Sequence, residues 1–456
     1  MTDAHHHLTE KVAALCAPLL PARSTILTGL SGGMDSVALL HLLHQLAPRF
    51  GWRLSALHVH HGISPNADAW ADFCAVLCAR YGIPLHIEHV DIAPLRGEHG
   101  IEAAARKLRH AAFAAQACDF VALAHHADDQ AETLLLQLLR GAGVRGAAGM
   151  PVCARTVPGV PVTVRPLLNI ARGELLDYAR RHELRWIEDE SNADDSYPRN
   201  FLRHRMLPLL EQRFPAWRDT LTRSARHFAE AGEMLDELAR QDGAQAVCDG
   251  VLEVDALRGL TPPRAKNLLR HFLHAGGAPM PQSAQLDQML EQLLAARPDA
   301  AVCVAFGGWQ MRRYRGGAHV FPALGGFDRS LVLPWNGEAE LDWPALNAYL
   351  TFARAQHPQG AGISLAKLQH APVTLRLRRG GETLRPHPHA ATRTLKHLLQ
   401  EHGVPPWQRE RLPLLYCGDE LVCVTGVAVA AGYQPEPGEE GLLLGMNIGA
   451  DAAKAM

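Results

Sequence analysis

Over the first two hundred residues, short apolar runs alternate with longer stretches whose apolar positions recur at helical spacing. This is the pattern of an α/β unit on a parallel sheet. The short runs predict strands at residues 25–30, 54–59, 85–90 and 120–124. Helices are expected between them, beginning near Asp35, Pro65, Gly100 and Ala127, with Gly82 as a C-cap just after Tyr81. Crossover helices put every strand-to-helix loop at the carboxyl edge of such a sheet, so a ligand site belongs there.

From about residue 199 the strand signals fade into helical periodicity. The first part of this region is basic: Arg199, Arg203, Arg205, Arg213, Arg218, Arg223 and Arg226 are opposed by Glu211, Asp219 and Glu230. A second helical block runs to about residue 298, and short strands are expected at 301–306 and 319–321. The Pro- and Gly-containing stretch 355–362 reads as a linker. Beyond it a small α+β unit carries Arg376, Arg378, Arg379, Arg385, Arg393 and Lys396. Three domains are therefore expected: a doubly wound parallel sheet in residues 1–215, a mainly helical domain in 216–354 and a small α+β domain in 363–456.

Composition narrows the class. The 456 residues are 47% hydrophobic and 20% charged, an ordinary globular balance that excludes a disordered or fibrous chain. No apolar run approaches the roughly eighteen residues of a membrane span, and the first residues lack the basic-then-apolar order of a signal peptide. A cytoplasmic protein without membrane partners is expected, and a homodimer is compatible with the sequence. The histidines at 5–7 resemble a tag remnant as much as native sequence and take no part in site reasoning. Nine scattered cysteines with no Cys-x-x-Cys pair suit reduced thiols, and Cys74 and Cys78, one helical turn apart, read as core packing. A net charge of -2 argues against a uniformly basic nucleic-acid binder, yet the two basic clusters are local.

The strongest chemical signal follows the first strand: Ser31-Gly32-Gly33-Met34-Asp35-Ser36, then an apolar helix. Two glycines let the backbone turn tightly and bring its amides against phosphate oxygens, and the helix N-terminus adds a favourable dipole. Ser31 and Ser36 add hydroxyl donors. Asp35 beside a polyanion is repulsive unless a cation bridges the two, which points to Mg²⁺ held by Asp35. The competing account is an ordinary strand-to-helix turn with an Asp N-cap. Without a Gly-Lys-Ser/Thr ending the loop is not a Walker A motif, so cleavage of ATP between its α- and β-phosphates is expected rather than transfer of the terminal phosphoryl group.

Three further constellations accompany it. In the run His125 to Thr133, a continuous helix would put His125, Asp129 and Glu132 on one face, a pocket for a metal or an ammonium group. Carboxylates in a first helical turn are also ordinary dipole complements. Glu102, Arg106 and Arg109 share a face of an alanine-rich helix, suited either to phosphate or to solvated ion pairing. The stretch from Glu188 to Asn192, leading to Arg199, Asn200 and Arg203, mixes acid, amide and base in an expected loop. His58, His60 and His61, with His125, His126, Asp128 and Asp129, could imitate a two-metal hydrolase site, a weaker reading because it leaves the phosphate loop unused.

Together these residues resemble the PP-loop ATP pyrophosphatase superfamily, whose signature is Ser-Gly-Gly-x-Asp-Ser after the first strand. The run His125 to Thr133 with Leu138-Leu139-Arg140-Gly141-Ala142-Gly143 and Gly149-Met150, the run Asp189-Glu190-Ser191-Asn192 with Arg199-Asn200, and the block from Leu395-Lys396 to Arg409 look like those of the tRNA(Ile)-lysidine synthetase family. The likeness covers nearly the whole chain; Gly146-Ala147 stands where Gly-Leu is expected. It implies an enzyme that uses ATP and Mg²⁺ to adenylate the wobble cytidine of the isoleucine tRNA with anticodon CAU, after which the ε-amino group of L-lysine displaces AMP. It also implies that Asp129 and Glu132 recognise lysine, and that Arg106, Arg109 and His125 line the reacting phosphate beside Asp35. Elongator methionine tRNA carries the same anticodon letters, so recognition must extend beyond them. Arg199, Arg203 and Arg205, with Arg376, Arg378, Arg379, Arg385 and Lys396, are the expected tRNA contacts.

A tRNA thiolase on the same ATP loop would want paired reactive cysteines or an iron–sulfur site. A glutamine-dependent amidotransferase would want a glutaminase nucleophile, and Thr2 is not an N-terminal cysteine. A non-catalytic, ATP-gated RNA-binding protein would form no AMP.

Overall fold

The computed structural model describes residues 3–94, 101–154, 159–297, 300–346, 348–356 and 362–448. The chain forms two compact units, Met1–Met234 and Leu235–Met456.

The first unit is built on six strands: β1 Thr25–Gly29, β2 Arg53–His60, β3 Leu85–His89, β4 Phe120–Ala122, β5 Cys153–Ala154 and β6 Val162–Val164. Their order is β3-β2-β1-β4-β6-β5. All neighbours pair parallel except β5, which runs antiparallel to β6 at the edge. The helices are α1 Asp3–Cys16, α2 Met34–Phe50, α3 Ala67–Tyr81, α4 Ile101–Ala114, α5 Ala127–Leu139 and α6 Arg172–Arg181. The sheet is doubly wound because its strands are apolar on both faces. Ile26, Ala56 and Ala122 meet Val12 of α1, Leu39 and Leu43 of α2, Cys74 of α3 and Leu175 of α6 on one side. Leu27, Leu57, Val121 and Leu123 meet Ala112 and Phe113 of α4 on the other. Successive residues of one strand thus serve opposite layers, as the period of two requires.

The four expected strands are present, and α2 to α5 occupy the four expected helical segments. Gly100, the expected start of α4, lies outside the described residues, as do the side chains of Glu102, Ser191 and Asn192. Gly82 ends α3 in the left-handed conformation, φ 64°, which a side chain would strain. Beyond α6 a helical run spans Pro198–Phe201, a π-turn Leu202–Met206 and Leu207–Arg213. The long helix α7 Trp217–Gly243 follows.

Between residues 216 and 354 a small sheet accompanies the expected helices. Helices α8 Pro262–Ala275 and α9 Ser283–Ala295 bury Leu268, Leu269, Met289 and Leu293 with Leu252, Val304 and Met311. Those last three belong to a five-stranded antiparallel sheet: β7 Val247–Cys248, β8 Val251–Glu253, β9 Cys303–Phe306, β10 Trp309–Tyr314 and β11 Gly317–Pro322, in the order β7-β8-β11-β10-β9. Strands this short give little periodicity to read.

The expected linker also proves to be something else. Residues 357–361 lie outside the described residues, but β14 Ala348–Gln356 and β15 Ile363–Ser364 on either side both pair with β22 Glu440–Ile448. The stretch therefore joins two strands of one sheet, whose fourth member is β13 Glu340–Trp343. A facing sheet holds β12 Val332–Trp335, β16 Val373–Arg376, β19 Leu414–Cys417, β20 Glu420–Val424 and β21 Ala428–Val429, and the small pair β17 Thr383–Leu384 and β18 Arg393–Thr394 stands apart. Trp343, Leu350, Leu375, Leu415 and Leu442 form the core between the two larger sheets. The C-terminal sandwich thus begins near Val332.

Truncation before Ile363 is accordingly expected to leave β14 as an unpaired edge along its whole length and to expose Leu350 and Phe352. A chain ending at residue 362 should aggregate or elute as mixed oligomers in size-exclusion chromatography. A sharp monomeric peak with an undiminished thermal transition would show that β14 does not depend on β22.

Candidate active site

The strand order reverses between β1 and β4, and the loops leaving these two neighbours diverge at the carboxyl edge, where open α/β sheets bind ligands. After β1, Gly32 adopts φ +87°, and a Cβ there would lie 2.4 Å from Ile187 Cδ1. Ile187 N–H in turn donates to Gly32 O at 2.9 Å, pinning the loop to the segment after α6. Ser36 Oγ donates to Gly33 O at 2.9 Å and lies 3.1 Å from Ser31 Oγ, so the hydroxyls brace the turn. Gly33 then caps α2 with no side chain in the way. Met34 is buried in the core at 5% exposure, so what it offers a ligand is its backbone.

Asp35 is the open group of this loop. Its Oδ1 is buried without a hydrogen-bond partner, and its Oδ2 lies 3.6 Å from His126 Nε2. An orphaned carboxylate oxygen is costly, and a hard divalent cation with phosphate and water ligands would satisfy it. Asp35 therefore fits Mg²⁺. Among the described residues no group of three or more His, Cys, Asp or Glu is placed to hold a metal.

The loop after β4 opens α5 with a reciprocal cap. His126 Nδ1 accepts from Asp129 N–H at 3.3 Å while Asp129 Oδ2 accepts from His126 N–H at 3.1 Å. That cap leaves Nε2 as the protonated nitrogen facing Asp35. Burial would lower the pKa of His126, but the bond to Asp35 and the charges of Asp129, Asp35 and Asp128 bring it above the ordinary value. Asp129 stays ionised: burial opposes this, and His126 and Arg199 outweigh it.

Glu132 stands one turn further along and is 1% exposed. Arg199 Nε donates to its Oε2 at 2.7 Å, Arg203 Nε to its Oε1 at 2.9 Å, and Arg203 Nη2 to its Oε2 at 3.0 Å. Arg203 Nη2 also lies 3.4 Å from Asp129 Oδ1, and Arg199 Nη2 donates to Asp129 O at 3.2 Å. The cations that Asp129 and Glu132 hold are thus guanidiniums of the chain itself. Glu132 has both oxygens occupied and orients the arginines; Asp129, 14% exposed, is the carboxylate nearer to a ligand. Arg199 and Arg203 point inward, away from an RNA-facing role, on either side of the start of the π-turn, where Leu207 N–H bonds Leu202 O. Such wide turns recur at functional sites. Arg205 instead pairs with Asp195 at 2.7 Å on the surface.

The other face of the sheet edge is cationic. His125 has a buried Nδ1 without a hydrogen-bond partner, and burial, with Arg165, Arg199 and Arg106 nearby, holds its pKa far below the ordinary value against the opposing charge of Asp129. It is a neutral imidazole. Arg106 and Arg109 of α4 are exposed. Sequence reasoning missed Arg165, directly after β6, and the role of Arg218, which donates to Asp128 at 2.7 Å. His61, also neutral, lies beside Arg109. Next to the ends of β2 and β3 a cleft of about 870 Å³ is lined by His60, His61, Ile63, His89 and Val90 among others.

Of the C-terminal basic residues, Arg376 donates to Gly418 O at 2.7 Å and lies over the Tyr416 ring, and Arg378 lies 3.8 Å from Glu382. Both serve their own unit. Arg379, Arg385 and Lys396 are exposed.

A Ser-Gly-Gly-Met-Asp-Ser loop at the switch point of a doubly wound sheet defines the class: a PP-loop ATP-binding enzyme. Residues 4–210 match the model of the PP-loop domain, 252–319 that of the TilS substrate binding domain and 373–446 that of the TilS substrate C-terminal domain. The chain is 44% identical over 416 residues to the tRNA(Ile)-lysidine synthase of Nitrosomonas europaea, covering 91% of this chain and 90% of that one. It is 43% identical over 437 residues to that of Aromatoleum aromaticum, covering 95% and 99%. The chain belongs to the tRNA(Ile)-lysidine synthase family. Among solved structures, a U34-tRNA thiolase from Methanococcus maripaludis is similar at a TM-score of 0.43 and 22% identity, over 49% of this chain and 79% of that one.

Two outcomes follow from this electrostatic arrangement. Glu132→Gln should lower the free energy of unfolding by about 3 kcal/mol, because two partly buried guanidiniums lose their counter-charge; a denaturant titration with an unchanged midpoint would mean that they find other partners. His41 and His61 have pKa values lowered to about 4, burial being the first cause, and those of His58 and His125 are lowered likewise. Their neutral forms stabilise the fold fully above the unfolded value near 6.5, and that stability is lost as pH falls towards 4. The unfolding free energy from urea titration should drop between pH 7.5 and pH 5, by on the order of 2 kcal/mol after allowing for partial exposure of the rings.

Proposed function

We propose that this chain joins L-lysine to the wobble cytidine of the CAU-anticodon isoleucine tRNA in two steps at one site. In the first, the cytidine O2 attacks the α-phosphorus of ATP and pyrophosphate leaves; in the second, the lysine ε-amino nitrogen attacks C2 and AMP leaves with the former O2. The observation that carries this reading is the meeting of the Asp35 loop and the His126–Asp129 cap at the switch point, in a chain of this family. Mg²⁺ bound at Asp35 would neutralise charge developing on the phosphates.

The chain's own residues supply the rest. Amides of Ser31 to Ser36 at the start of α2 hold phosphate oxygens. His126 stands beside Asp35, its Nε2 3.6 Å from the carboxylate. Neutral His125, with Arg106 and Arg109, lines the reacting phosphate without adding the cost of a buried positive charge. Asp129 takes the lysine ammonium, and Glu132 acts through Arg199 and Arg203. Arg379, Arg385 and Lys396, with Arg205, Arg223 and Arg226, face the RNA backbone. Among the described residues no helix is long and apolar enough to cross a membrane, in keeping with a cytoplasmic setting beside the tRNA pool.

The test is nucleoside mass analysis of the isoleucine and elongator methionine tRNAs after incubation with ATP and lysine. Lysidine should form only in the former. Asp35→Asn should reduce pyrophosphate release by at least about 10²-fold with the thermal midpoint unchanged. Normal pyrophosphate release in that variant would remove Asp35 from the site.

A further inference from the structure

Arg165 is 8% exposed and, among the described residues, has no carboxylate partner. Its Nη1 donates to Pro151 O at 2.7 Å, and its Nε is buried without any partner. Burial and then Arg106 lower its pKa, with Cys153 acting the other way. A buried guanidinium facing a second arginine is expensive to keep, which asks what anion compensates it.

Strand alternation fixes where it points. Val164 packs in the layer of α2 and α6, so Arg165 faces the opposite layer. Val164 pairs with Ala122 of β4, and Leu123 N–H bonds Val164 O. Leu123 packs on the α4 side, so His125, two residues on, continues along the face to which Arg165 turns. Arg165, the unpartnered Nδ1 of His125 and Arg106 of α4 thus converge at the carboxyl edge of β4 and β6. Three groups, two of them cationic and one a neutral hydrogen-bonding imidazole, surround a place that no carboxylate of the described residues fills.

We infer that Arg165 is a phosphate-anchoring residue of the substrate site, holding either a backbone phosphodiester of the RNA beside the reacting cytidine or the phosphate of the nucleotide. The inference rests on the proposed reaction for the identity of the substrates, though not for the existence of the anion site. A structural arginine would stabilise the fold; an arginine kept for a ligand destabilises it until the ligand arrives.

The test uses the full-length protein with Arg165→Met and Arg165→Lys. Without substrates, Arg165→Met should hold or raise the thermal midpoint. If the anion belongs to RNA, its affinity for the isoleucine tRNA should fall about ten- to a hundredfold, the loss of a charge-assisted hydrogen bond, and the slope of log affinity against log salt should shrink by about 0.7. If it belongs to the nucleotide, ATP affinity falls by that factor and the tRNA titration is unchanged. Arg165→Lys should restore part of either loss. A lower thermal midpoint with both affinities intact would overturn the inference and make Arg165 a tie to Pro151. Lysidine formation by the unsubstituted protein, measured alongside, separates failure of the proposed reaction from failure of the anion site.

Discussion

β1 and β4 lie side by side and parallel, yet the chain leaves β1 towards α2 on one face and reaches β4 from α4 on the other. That reversal opens the gap in which the Asp35 loop and the His126 cap meet, since at every other parallel pair a crossover helix closes the edge. It also sorts the chemistry by face. His126 turns to Asp35 and the phosphate loop, while His125, one residue earlier, turns with Arg165 towards α4. One residue of strand phase separates an imidazole whose pKa the neighbouring carboxylates raise from one that burial holds neutral.

Charge balance in this gap is local and nearly closed. Asp128 has Arg218, Glu132 has Arg199 and Arg203, and Asp129 has the cap and the edge of both arginines. Among the described residues, one oxygen of Asp35 and Nε of Arg165 are buried without a partner, an anion without a cation and a cation without an anion. Unsatisfied buried groups in an otherwise satisfied site mark where ligands supply the missing partner. The two point to a metal-bound polyphosphate on one side and a phosphate on the other.

Much of the first unit was legible in the sequence because its strands and helices are long enough to show their periods and its punctuation is explicit. Gly82 stops α3 as a C-cap glycine should, and Gly32 marks a turn that does not bear a side chain. The second unit was less so. Its strands β7 and β8 have two and three residues, and the composition of 355–362 looked like a linker because Pro and Gly serve connections within a sheet as well as linkers. Arg376 and Arg378 counted as basic surface until the fold set one over Tyr416 and the other beside Glu382.

By itself the sequence determined the class of site: a loop that only glycine can form, placed after the first strand, with a carboxylate where a phosphate ligand would demand a cation. Residue types and spacing suffice for that, because the loop's chemistry is contained in six consecutive residues. The tertiary structure decided which charges are spent and which are free. Asp129 and Glu132 look equivalent at three residues' spacing, yet Arg199 and Arg203, about seventy residues away in sequence, saturate one and only flank the other. Arg165 looked like any arginine after a short strand until pairing with β4 aimed it beside His125. Partnering of buried charges is a through-space property, and only the folded chain brings those partners into range.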